Sequence, residues 1–158
     1  MNKNYICLII LIFIVTIFAL TRCDMQKEKY PSGKDTVESF EGGIYQIMRN
    51  PDRSLSFTNL DISTDIEKKI KDYKKTNNQL FIKGSIGYTV FNLKTYTIKQ
   101  YVTFEGYTDS EIQQYRQFFE PDIKKLSTCS RLEKYEDFSK EERRIFETLK
   151  SSGGIPRL

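Results

Sequence analysis

Acidic side chains, tyrosines and a lone distal cysteine are the groups with which this 158-residue chain could do chemistry, for it has no histidine. Imidazole bases and imidazole metal ligands are therefore excluded. Asp122, Glu133, Glu136 and Asp137 gather around Cys129 in the sequence. Two carboxyls held about 5–9 Å apart can run glycoside hydrolysis, but spacing along a chain does not set that distance, and acidic loops are ordinary. Cys129 has no imidazole to draw off its proton, so it reads as a small buried hydrophobe rather than a nucleophile. Asp61 and Asp65 flank an expected helix start, where carboxylates serve the helix dipole. No metal site and no cofactor are expected. Gly84-Ser85-Ile86-Gly87 lacks the lysine of a phosphate-binding loop and falls between strands, so its glycines read as backbone devices.

The tyrosines are the groups that suggest binding. Tyr88, Tyr96, Tyr101 and Tyr107 crowd the most strand-like part of the chain. Tyrosine offers a wide apolar face with a polar tip, which suits interfaces, although strand propensity alone also favours it. Lys99, Tyr101 and Thr103 fall on the polar side of one strand, with Tyr101 expected to be exposed. These three are the candidate partner-binding residues.

The elements that must position these groups follow from periodicity and turn chemistry. Residues 44–49 and 54–60 read as a hairpin around the turn Asn50-Pro51-Asp52-Arg53. Thr64-x-x-Glu67 has the form of a capping box, and Ile66, Ile70 and Tyr73 follow at helical spacing, so a lysine-faced helix is expected to run to Asn77-Asn78. From Gln79 to Phe104 the pattern is that of strands, with a break at Gly84 and Gly87 and a tight connection at Lys94-Thr95. Alternation predicts that Tyr96, Ile98, Val102 and Phe104 share one face, the face on which the helices pack. Thr108-x-x-Glu111 and Ser139-x-x-Glu142 open two further helices, the first interrupted at Pro121 and the second stopped at Gly153. The expected fold is α+β: an antiparallel β-meander of about five strands with two or three helices packed on one face.

The N-terminus carries the other strong signal. Ile6 to Leu20 is apolar except for Thr16, behind a start whose only side-chain charge is Lys3. Roughly fifteen such residues have the build of a secretory h-region and are short for a membrane span of about 20 residues. The end of the run, Leu20-Thr21-Arg22-Cys23, resembles a bacterial lipobox, with leucine three residues ahead of the cysteine and with Arg22 where a small residue is usual. That resemblance implies lipidation at Cys23. An uncleaved N-terminal anchor and a secreted form cleaved after Thr21 are the alternatives. If Cys23 stayed unmodified, a Cys23–Cys129 bridge would be open to it in an oxidising compartment.

These signals divide the chain into a signal or anchor segment (1–23), a charged tether (24–36), one α+β domain (37–152) and a tail (153–158). Two of the 25 basic residues, Lys3 and Arg22, precede all 21 acidic ones, which leaves the remainder at 23 against 21, or +2. So small and mixed a charge argues against nucleic acid as a partner. The expectation is a membrane-tethered extracytoplasmic binding module of envelope or immunity type, without catalytic activity, attached through its N-terminal segment and binding a protein. The alternative is a small cell-envelope enzyme, or a glycan-binding domain, using acidic residues and tyrosines.

Overall fold

A computed structural model describes residues 29–151. The apolar segment, Cys23 and the tail lie outside the described residues. Two antiparallel meanders succeed each other. The first contains β1 (Thr36–Phe40), β2 (Tyr45–Arg49), β3 (Leu55–Asn59) and β4 (Thr64–Glu67), paired in that order. The second contains β5 (Asp72–Lys75), β6 (Gln79–Lys83), β7 (Gly87–Asn92) and β8 (Ile98–Val102), and β9 (Cys129–Leu132) joins β8 in parallel. Between β8 and β9 come helices α1 (Asp109–Phe118) and α2 (Glu120–Lys125), and α3 (Lys140–Ser151) closes the described chain.

The two sheets face each other across an aromatic core. Phe40, Tyr45, Ile47, Phe57 and Ile66 of the four-stranded sheet meet Leu80, Ile82, Phe91 and Ile98 of the five-stranded one. Strand alternation sends Phe81 and Val90 to the opposite face, where they pack under Phe138 and under Phe146 and Leu149 of α3. The five-stranded sheet is thus covered on both faces. Helices α1 and α2 close one end over Ile86, with Tyr115, Ile123, Phe104 and Phe119.

The α+β class and the strands of residues 79–104 match the sequence pattern, and so does the hairpin, with Gln46 opposite Thr58 and Ile47 opposite Phe57. Ile98 is fully buried, but it and the half-buried Tyr96 pack against the four-stranded sheet rather than the helices, and only Val102 and Phe104, also half-buried, lie against α1 and α2. Thr108 and Glu111 form the expected reciprocal cap on α1. Ser139 and Glu142 do the same before α3, with the Ser139 amide donating to Glu142 Oε2 at 2.8 Å. Pro121 sits in the first turn of α2, so the interruption falls where proline dictates.

The expected helix over 64–77 is not there. Residues 64–67 pair with β3 and residues 72–75 with β6, and between them Lys69 takes a left-handed φ of 44° as the chain crosses from one sheet to the other. The crossing is held on both sides: Ile70 N donates to Leu55 O and Lys71 N to Lys83 O, each at 2.8 Å. A helix with three apolar positions buries little, whereas two ready strand edges offer complete ladders and place Ile66 and Ile70 in the core. Three of the lysines expected on a wet helix face pair with other elements instead. Lys71 meets Glu105 at 2.8 Å, Lys75 meets Glu38 at 3.0 Å, and Lys68 lies 3.8 Å over the Phe119 ring.

The end of the segment assigned to the tether is also bound. Tyr30 N donates to Gly42 O at 3.2 Å, and Lys29 reaches Asp61 at 2.7 Å. Thr36 already belongs to β1.

Candidate functional site

Tyr88 and Tyr101 are direct cross-strand partners on β7 and β8, and their rings stack with centroids 6.5 Å apart. Tyr135, from a 3-10 turn over Tyr135–Asp137, lies against both, at 5.1 Å from Tyr88 and 6.1 Å from Tyr101. Phe146 of α3 meets Tyr88 edge-on at 5.2 Å and fixes the cluster to the helix. Edge-to-face and offset contacts of this kind are worth about 0.5–1.5 kcal/mol each beyond area burial, so the trio is a rigid feature of the surface.

The three residues named from the sequence fare differently. Thr103 is exposed just beyond β8. Lys99 extends to Glu142 on α3, with Nζ 3.0 Å from Oε1. Burial opposes ionisation of Glu142, but hydrogen bonds from the Ser139 amide and from Lys99 outweigh it and hold the carboxyl below the usual range. Tyr101 is half-buried rather than exposed, because α3 and the Tyr135 turn lie over the strand face that alternation marks as polar.

Tyr101 also lines a groove of about 270 Å³ between the ends of β8 and β9 and helices α1 and α2. Arg116 enters from α1, its guanidinium 6.0 Å over the Phe104 ring, and Arg131 enters from β9. Arg131 Nη2 donates to Tyr115 Oη at 3.0 Å, while its Nε is buried without a partner. Burial raises the Tyr115 phenol to about 12, against the opposing pull of Arg131, so it remains a neutral acceptor. Glu120 and Glu133 complete the wall. On the far side of Tyr135 a second groove, of about 510 Å³, carries Lys140, Arg143 and Arg144 with Glu136 and Glu147. The tyrosines therefore stand between two grooves lined by guanidinium groups, an arrangement able to hold a polypeptide through aromatic contact and charge-assisted hydrogen bonds.

The remaining candidates separate. Tyr96 turns inward onto Phe91, with centroids 6.2 Å apart. Tyr107 packs edge-on against Phe104 at 5.8 Å, with its hydroxyl oxygen 3.3 Å from Ser85 Oγ. Cys129 is half-buried beside Ile98, and burial raises its thiol, the wrong direction for a nucleophile. Asp122 is held by Lys125 at 2.7 Å, and Asp137 accepts from the Lys134 amide at 2.9 Å. Among the described residues no group of three acids or cysteines converges so as to hold a metal ion. Tyr135 escaped sequence reasoning because it sits in a polar run without periodicity; the Phe138 that follows was the one hint that the segment folds back onto the sheet.

No protein-family model matches this chain, and neither a curated protein nor a solved structure does.

Proposed function

We propose that the protein is a membrane-tethered, extracytoplasmic binding module that holds a protein partner through its tyrosine face, without catalysing a reaction. The observation that carries this reading is the trio of packed tyrosines Tyr88, Tyr101 and Tyr135 between two grooves that present arginines. The placement outside the membrane rests on the apolar run from Ile6 to Leu20 and the cysteine that ends it. No helix among the described residues is long and apolar enough to cross a membrane.

The anchor is tested by intact-mass measurement of the full chain extracted from membranes. The expected product begins at Cys23 and carries lipid, and Cys23→Ser removes the lipid. Arg22→Gly is expected to speed maturation, because it places a small residue before the cysteine. A chain beginning at Met1 makes the segment an uncleaved anchor, and one beginning at Arg22 makes the protein secreted. Recovery of the unprocessed chain in the cytoplasmic fraction overturns the placement.

A further inference from the structure

Glu67 is the one glutamate with no exposed surface among the described residues, and it lies where the two sheets join. Strand alternation alone would turn it away from the core, since Ile66 beside it is also fully buried. A β-bulge resolves this: Thr58 pairs with Asp65 and Phe57 with Glu67, so Ile66 is the extra residue and both side chains turn inward. The carboxyl then spans the gap to the corner between β6 and β7. Oε1 accepts from Ile86 N at 2.7 Å and from Gly87 N at 3.1 Å. Oε2 makes only long contacts, with Thr89 Oγ1 at 3.3 Å and Gln100 Nε2 at 3.4 Å. Next to it, the Ser85 amide and hydroxyl both donate to Lys68 O, at 2.8 and 2.9 Å. Gly84 makes the approach fit, for a Cβ there would stand 2.5 Å from Oε1.

Among the described residues no cation bonds to this carboxyl. Lys68, next in the chain, turns to Phe119 and Asp65, each 3.8 Å away. Arg131 on β9 is engaged with Tyr115. The other titratable groups turned towards it are the phenols of Tyr107, ahead of α1, and Tyr115, on α1, and burial raises both. Full burial without a counter-ion favours the neutral acid, in which Oε1 keeps its two backbone donors and the protonated Oε2 lies within reach of Thr89. We propose that Glu67 is an internal proton-binding site that fastens the edge of the four-stranded sheet to the corner of the five-stranded one when neutral, and loosens that fastening when ionised.

Burial pushes the Glu67 carboxyl up to about 7, against the hydrogen bonds that favour its anion, from an ordinary value of 4.5. The folded state therefore holds its proton more tightly than the unfolded state. The stability this supplies is present in full below pH 4.5 and is lost as pH rises through about 7. Asp52, Asp61 and Glu111 act in the opposite sense and in a lower window, because hydrogen bonds from Ser54, Lys29 and Thr108 hold their carboxyls down.

The test uses the full-length protein in detergent micelles. In wild type labelled with ¹³C at glutamate carboxyls, one carboxyl resonance, assigned through its loss in Glu67→Gln, is expected to titrate with a midpoint near 7. Across pH 4.5 to 8 the wild-type unfolding constant is expected to rise on the order of a hundredfold relative to that of Glu67→Gln. A Glu67 midpoint at or below 4.5, or parallel stability profiles for the two proteins, overturns the proposal. Should Glu67→Gln not fold, assignment by triple resonance in wild type supplies the midpoint and decides alone.

Discussion

Ile98→Asp is expected to abolish cooperative unfolding of the domain, while Thr103→Asp leaves the melting curve close to that of wild type. Ile98 has no exposed surface and sits between the sheets, paired with Phe91 on one side and Cys129 on the other. An ionised carboxylate at that point has no partner and no water. Its burial costs several kcal/mol, against a total stability on the order of 5–15 kcal/mol for a domain of this size. Thr103 is exposed beyond the end of the strand, where substitutions stay within about 0.5 kcal/mol. Thermal melts followed by circular dichroism compare the two directly. If Thr103→Asp proved the damaging change, the register of β8 would be displaced by one residue, since such a slip exchanges the two faces.

Phe91→Ala is expected to lower stability by about 3–5 kcal/mol, the range for emptying a large aromatic site in a packed core. Phe91 is the hub of the inter-sheet cluster: its ring lies 4.8 Å from Tyr45, 5.2 Å from Phe57 and 5.7 Å from Phe40. All three partners belong to the opposite sheet, so the truncation opens a void at the seam that joins the two meanders. Phe118→Ala is the matched control, because Phe118 is 61% exposed on α1 and its removal opens no void in the core. Urea denaturation of both variants reads the difference. Equal losses would mean that the two sheets do not meet through Phe91.

The strands and the two capped helices near the C-terminus were legible because local signals and tertiary demands agree there. Alternation at Ile98 and Val102 and the reciprocal caps at Thr108 and Ser139 each name one structure. Thr64 and Glu67 show the opposite case. Their spacing matches a cap, but the open edges of β3 and β6 decide the outcome, and nothing within four residues records the presence of those edges. The four-stranded sheet was half-hidden for the same reason, since only its β2–β3 hairpin has a turn written in the sequence. The site was legible in part. Tyr101 was found by its residue type and its place on a strand. Tyr88 stands out among the same strand tyrosines, but its pairing with Tyr101 depends on cross-strand register, and Tyr135 depends on a turn that folds back from the far side of β9. The burial of Tyr101 came from α3, whose docking face no strand pattern reveals.

Site-directed photo-crosslinking in intact membranes tests most directly whether the tyrosine face binds a protein. A photoreactive residue at Thr103, beside Tyr101, is compared with one at Lys94, in the turn at the opposite end of β8; both positions are exposed. The expected result is one protein joined at Thr103 in stoichiometric yield and none at Lys94. That product should fall at least tenfold when Tyr101 and Tyr135 are replaced by alanine, as removal of interface anchors does. Equal labelling from both positions, or attachment to cell-wall glycan in place of a protein, would contradict a protein-binding role for this face.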